Sequence, residues 1–507
     1  MTDGSVPLRT WIAFIAMCCG TFMAVLDTQI VASSLPDIAA SLGATVEEAS
    51  WIQTAYMIAE VIMIPLAGWL SGGLSLRRLY SLACALFTIA SLLCALAWSL
   101  ESIVLIRILQ GLSSGMLAPL LYQGIYLLFP RQRQPTVTLY VVLIVSLAPI
   151  IGPTLGGWIT QNWSWRWLFL INLIPGVMVS ATVFSLMKRE ALDLARLKRF
   201  DAPGILLIAL FLGSLEYVLG RGPDNDWFDS HRIVLFTVIA GASCILLLRH
   251  ELTSPHPVID LRTFRDRNFA TGCLFNFVMG VGMFGSGYLM VLFLSGIKGY
   301  NSQQIGQVMA VPGAAMLLTL PLLRFARRYL EGRLCLVIGL LLFAGALWIN
   351  ARLTASIGFD DLFLPQVLRG TAIMFCLSPI TELALGRLPL TAIPNATGLY
   401  SLMRSLGGGI GIAAINYLVV QQSGLHYRRL AERLNPDRYP DYLETLQGVL
   451  AGRVADMDQA GLGGVRLIAG LVRRESMLMA YNDAWLVIAG LFMVMLLLVP
   501  MVRRVTR

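Results

Sequence analysis

Seven ionisable side chains stand in stretches of this chain where almost every neighbour is apolar: Asp27, Glu60, Arg107, Glu216, Arg369, Glu382 and Arg404. Placing such a group at the centre of an apolar slab costs roughly 2.5–3.5 kcal/mol, so each one needs a chemical reason. A carboxylate in that setting can take up and release a proton near neutral pH, and an interior guanidinium can hold a neighbouring carboxylate ionised. Asp27 lies about two-thirds of the way along the first apolar run, and Glu60 is at the middle of the second, with Pro65 five residues on. Glu60 fits either a proton site or a structural acid paired with a buried arginine. Arg107 and Gln110 stand in the fourth run, in LIRILQGLSSG, and Arg369 in the twelfth, in LPQVLRGTAIM. Glu216, Glu382 and Arg404 are nearer the ends of their runs, where side chains reach interfacial water. These three, with Gln110 and Arg369, are the weaker candidates for lining a cavity.

Other chemistries lack their residues. The four histidines (His231, His250, His256, His426) are scattered, and the eight cysteines show no CxxC spacing, so no metal site or disulfide framework is expected. No phosphate loop and no nucleophile–base pairing occurs, which points away from an enzyme and from a bound cofactor.

The elements that must position these groups are membrane spans. The chain has 507 residues, 57% hydrophobic and only 13% charged, against about 25% charged for soluble domains. A bilayer core needs about 20 apolar residues per helix. Such runs number fourteen: roughly 11–35, 49–70, 78–98, 101–128, 136–160, 167–187, 203–220, 232–249, 268–296, 303–323, 334–350, 362–385, 396–421 and 483–502. The first follows Arg9 and is too long for a signal-peptide core, so it reads as an uncleaved helix. Fourteen spans place 22 Lys/Arg on the side of the N-terminus and only five in the short loops opposite. By the positive-inside rule both termini are cytoplasmic. The net charge of +9 is therefore an orientation signal and implies no nucleic-acid partner.

The expected class is an all-α integral membrane protein of 14 transmembrane helices: two pseudo-symmetric six-helix halves plus two linker helices. Its divisions are residues 1–187 for the first half, then 188–250 for a basic cytoplasmic seam and the linkers. Helices 9–13 follow at 251–421, an extracytoplasmic loop at 422–482, and the last helix with its tail at 483–507. The long loop carries helical patterning with nearly balanced charge, and reads equally as a solvated cap or a docking surface. The arginines near the starts of spans 4 and 12, and the glycine-rich APIIGPTLGGW (148–158) and RSLGGGIGIA (404–413) of spans 5 and 13, give the weak internal repetition common among transporters. Gly152, Gly156 and Gly157 allow close helix approach, and Pro153 frees a backbone carbonyl, so this stretch is close-packed and bendable.

At these residues the sequence resembles the major facilitator superfamily, specifically its fourteen-span drug:proton antiporters of the EmrB/QacA type. The matching pieces are LDTQIVASSLP (26–36), RILQG (107–111), GPTLGG (152–157), WSWRWLFLINLIPG (163–176) and VIDLRTFRDRNF (258–269), in order along nearly the whole chain. The resemblance implies proton-driven efflux of lipophilic, drug-like small molecules by alternating access across a bacterial inner membrane. It gives Asp27 and Arg107 a part in proton coupling, and marks GPTLGG as an exporter motif. A dedicated exporter of one endogenous metabolite, such as a fatty acid or siderophore, fits the same motifs. The EmrB-like long loop implies a periplasmic adaptor and an outer-membrane channel as partners. One piece departs: where the family has G-x-L-x-D-R-x-G-R-[KR], this chain reads GWLSGGLSLRRLY (68–80), with Gly72 at the aspartate position. The charged lock between helices at that loop is not carried over.

Overall fold

The computed structural model describes residues 6–188, 201–255, 257–433 and 457–501, which are helical almost throughout and contain no strand. The long helices are α1 (Leu8–Ser33), α2 (Val46–Leu74), α3 (Leu76–Ala95), α4 (Leu100–Leu128), α5 (Gln134–Asn162), α6 (Trp167–Leu186) and α7 (Ala202–Arg221). They continue as α8 (His231–Thr253), α9 (Arg267–Gly296), α10 (Ser302–Tyr329), α11 (Gly332–Asn350), α12 (Phe359–Leu385), α13 (Ile393–Arg433) and α14 (Met457–Leu496). Thirteen are long and apolar enough to cross a bilayer, and α5, bent by 40° between Pro149 and Ile151, makes the fourteenth. The bend has a local cause, because Pro149 lacks the N–H that would close its turn. Polar caps set several starts. Thr45 and Glu48 form a reciprocal cap on α2, as Asn301 and Gln304 do on α10.

Two helices depart from the spans expected at 396–421 and 483–502. α13 has 41 residues and α14 has 40, so each is about 60 Å long, twice the ~30 Å hydrocarbon core. Hydropathy reads only the lipid-level part of such a helix. The flanks of the 422–482 loop are thus continuations of α13 and α14, joined by His426 and Asp483 at 2.7 Å. Arg474 of α14 also donates to the Ile297 carbonyl at the end of α9 (2.9 Å). Residues 434–456, and most of the 188–202 seam, lie outside the described residues.

Helices α1–α6 pack among themselves, and so do α9–α14. The two sets meet where α13 lies on α2 and α4, and where α5 lies on α10 and α12. α7 packs on α2 and on α13, and α8 packs on α7. The outer surface of α8 presents Val234, Leu235, Val238 and Ile245, an apolar face suited to lipid. Trp51, Trp98 and Trp163 are all exposed at helix ends, where amphipathic rings suit the membrane–water interface. α2 and α4 approach closely because Gly111 and Gly115 offer no side chain: a Cβ on either would overlap the carbonyl oxygen of Tyr56 or Glu60. A small-xxx-small pair makes such a crossing possible.

The variant loop between α2 and α3 also has a physical consequence. Ser75, standing at the second glycine of the family pattern, has φ +72° and ψ 152°, a region costly for any residue with a Cβ. Arg77, without an aspartate at position 72, donates to the Phe184 carbonyl at 2.6 Å and lies over the Phe184 ring, tying α3 to the end of α6.

Candidate transport site

Asp27 and Arg107 meet as a fully buried ion pair, with Arg107 Nη1 2.6 Å from Asp27 Oδ2. Four helices beyond α1 supply the enclosure. From α4, Gln110 accepts from Arg107 (2.8 Å) and donates to Asp27 Oδ1 (3.2 Å). From α6, Asn172 donates to the same oxygen (2.7 Å). Ser91 of α3 accepts from both amides. From α2, the Ile52 carbonyl and Gln53 Oε1 accept from the guanidinium, whose face lies 4.0 Å above the Tyr56 ring. Both carboxylate oxygens are therefore engaged, Oδ1 by two amide donors and Oδ2 by the guanidinium, so protonation of Asp27 weakens its bonds to donors on α4 and α6. Low dielectric makes every bond in such a network strong and every vacancy costly.

Asn172, Ser91 and Gln53 were not among the residues singled out from sequence. Asn172 owes its reach to a break: α6 is built of Trp167–Leu170 and Leu173–Leu186, with Ile171 and Asn172 between them. It lies within WSWRWLFLINLIPG as a polar residue in an apolar run, which was the available signal. Ser91 gave none.

Glu60 lies deeper along α2 and is not ion-paired; its carboxylate accepts from Ser114 of α4 at 3.1 Å. Of the two readings, pairing with a buried arginine is not what the side chains do. Glu216 differs from its expectation as well. It is buried, 7% exposed, because α7 packs against α2 and α13, and its carboxylate lies where a Cβ on Gly409 of α13 would meet it at 3.4 Å. Arg221, five residues on, turns away to Glu47 and Ser50 of α2. Glu60, half-buried, and Glu216, buried, thus stand on the packed helices α2 and α7, with no cation paired to either among the described residues.

The remaining candidates lie elsewhere. Glu382 pairs with Arg327 of α10, within the second set of helices. Arg404, expected to reach interfacial water, instead donates to Tyr122 of α4 at 2.8 Å and stacks near that ring, because α13 crosses α4 there. With Tyr126 donating to the Thr381 carbonyl (3.1 Å), it joins the two sets of helices. Beside these contacts a cleft of about 370 Å³ opens between the α4–α5 and α12–α13 turns. Gly152 and Gly156 lie on α1, while Thr154, on the opposite side of α5, meets Gly306 of α10. Pro153 lies just past the bend, and the Gly157 carbonyl accepts from Thr160 (3.2 Å). Arg369 is buried in the second set, apart from all of these.

A family model for the Major Facilitator Superfamily matches residues 17–412. The chain belongs to that superfamily. It is 36% identical to the colistin resistance protein EmrB of Acinetobacter baumannii, over 85% of each chain. Its identity to the multidrug export protein EmrB of Escherichia coli is 31%, over 96% of this chain and 94% of that one. To the fatty acid resistance protein FarB of Neisseria gonorrhoeae it is 29%, over 94% and 92%. Among solved structures it is similar to the human organic anion transporter MFSD10, with a TM-score of 0.61 at 13% identity, covering 97% of this chain and all of that one. At such low identity that likeness is one of fold. The family and the all-helical architecture read from sequence both hold. This member of the superfamily is a multi-pass membrane transporter of the EmrB group, and not an enzyme.

Proposed function

We propose that the chain is a proton-driven exporter of lipophilic, drug-like compounds, working by alternating access in a bacterial inner membrane with both termini cytoplasmic. The observation that carries this reading is the sealed Asp27–Arg107 pair, with the unpaired Glu60 carboxylate farther along α2. Protonation of Asp27 removes the charge that holds Arg107, freeing its Nη1 donors to reorganise. Because α1, α2, α4 and α6 all bond to this pair, the change is transmitted to the first set of helices as a unit. Glu60 exchanges protons against a cationic or amphipathic substrate, and Glu216 lines the same cavity. The EmrB relatives, named for multidrug export and colistin resistance, support this substrate class. FarB supports a fatty acid as the second reading.

Inside-out vesicles test the coupling. With an imposed pH gradient, the wild type accumulates ethidium, while Asp27→Asn and Glu60→Gln are expected to lose gradient-driven accumulation and keep ethidium binding. Wild-type pH-driven uptake by Asp27→Asn would sink its coupling role. The same vesicles loaded with decanoate in place of ethidium separate the two substrate readings.

The outward continuations of α13 and α14 support docking of a periplasmic adaptor that leads to an outer-membrane channel. Co-purification with a co-expressed adaptor is expected to require residues 425–478, and adaptor recovery unaffected by their deletion rejects the docking surface.

A further inference from the structure

The two arginines of the internal repeat have opposite surroundings. Arg107 of α4 faces Asp27, the twentieth residue of α1. Arg369 of α12 faces Ser286, the twentieth residue of α9 counted from Arg267, donating to its carbonyl (3.3 Å) and lying 3.5 Å from its hydroxyl. The remaining contact of the guanidinium is the Met309 thioether at 3.9 Å. No acidic residue occurs anywhere in α9, α10 or α11. On α12 itself, Asp360 and Asp361 are in the first turn, and Glu382 is taken by Arg327. Among the described residues Arg369 therefore has no carboxylate partner, although it is only 4% exposed. A guanidinium withdrawn from water without an anion is an expensive arrangement.

Two further observations lie at the same place. Gln366, one turn before Arg369 on the same helix face, is fully buried, and neither its amide nitrogen nor its oxygen has a hydrogen-bond partner. The turn of α9 that precedes Ser286, Val281–Gly285, is π-helical, and such bulges take one backbone group out of its ladder, frequently at ligand sites. A cation without an anion, an amide with free donors and a loosened helix turn all describe half of an anion site.

We propose that Arg369, Gln366 and Ser286 form a binding site for a small monoanion, a carboxylate or a halide, in the position that Asp27 fills in the first six helices. The anion would take Arg369 Nη donors, the Gln366 amide N–H and the Ser286 hydroxyl; guanidinium and amide are also the donor types that hold Asp27. The carboxylate of a transported amphiphile and a free ion from solution present the same chemistry to these donors.

The test uses the purified full-length protein in detergent, in chloride-free methanesulfonate buffer, with benzoate, chloride and the neutral isostere benzyl alcohol as probes. Benzoate or chloride is expected to raise the thermal midpoint saturably, and benzyl alcohol is not. Arg369→Gln is expected to weaken that anion dependence roughly 10- to 100-fold. Ser286→Asp supplies the carboxylate internally, so it is expected to raise the anion-free midpoint and abolish the response. If Ser286→Asp does not fold, Arg369→Gln decides alone. A response to benzoate but not chloride assigns the site to an organic carboxylate, and competition between the two assigns it to free anions as well. No anion response in the wild type, or one unchanged in Arg369→Gln, overturns the proposal. The assay reads binding without transport, so its failure is distinct from failure of proton coupling.

Discussion

Arg107→Ala is expected to cost about 3–5 kcal/mol of stability and to abolish efflux, because it leaves Asp27 buried without its cation. The substitution does more than break one bond. Gln110 Oε1, the Ile52 carbonyl and Gln53 Oε1 each lose the guanidinium donor, Gln110 Oε1 keeping only the Cys94 thiol at 3.7 Å, and each weakened acceptor contributes to the cost. These losses share one network and do not add. Arg107→Lys is expected to recover only part of the stability, since a single ammonium cannot span a carboxylate and an amide in the way the planar fork does. The informative variant is the double substitution Asp27→Asn with Arg107→Gln. It replaces the ion pair by two amides that can still bond to Asn172, Gln110 and Ser91. Stability is expected to return most of the way to wild type, while pH-driven transport stays absent. Denaturant unfolding of the purified variants, set beside ethidium efflux, reads both quantities. A cost below ~1 kcal/mol for Arg107→Ala would mean that water reaches the pair, and the sealed network would have to be abandoned.

Much of this site was legible because charge is conspicuous in an apolar sequence. Asp27, Glu60, Arg107 and Glu216 could be found by their cost alone, since few neighbours can excuse a charge in lipid. The uncharged members could not be found in that way. Ser91 can satisfy itself within its own helix almost anywhere, so its presence in α3 said nothing about Asp27. Partner choice was equally hidden. Glu216 and Arg221 are five residues apart and equally buried, yet helix packing sends Arg221 to the first turn of α2 and leaves Glu216 apart from it. Arg369 looked like the counterpart of Arg107 from its motif, and only the packing of α9 revealed that the partner position holds Ser286. The spans were legible as apolar runs, but the ends of α13 and α14 were not, because hydropathy stops at the lipid boundary and a helix need not.

Gly156→Ala is expected to abolish transport, although helix propensity alone favours alanine over glycine by about 1 kcal/mol. The reason is the α1–α5 crossing. A Cβ at Gly156 would sit 2.7 Å from the Ile30 carbonyl oxygen and 2.9 Å from the Ile30 Cα, and backbone cannot rotate aside as a side chain can. Gly152, one turn earlier on the same face, is opposed in the same way by Gln29 Cβ. Overpacking of this kind costs roughly 1–3 kcal/mol, which outweighs the propensity gain. The functional loss is expected to exceed the stability loss, because the displaced segment of α1 begins two residues after Asp27. Moving it shifts the carboxylate against Arg107 and Asn172, whose bonds of 2.6 and 2.7 Å tolerate little displacement. On its other side α5 carries Thr154 against Gly306 of α10, so a widened α1–α5 contact also presses on the second set of helices. Gly241 of α8 is the control: nothing lies within 4 Å of a Cβ there. Gly241→Ala is expected to leave efflux intact and to hold or slightly raise the thermal midpoint. If the two variants behave alike, glycine acts at Gly156 through flexibility; opposite signs locate its effect in the space it leaves for Ile30.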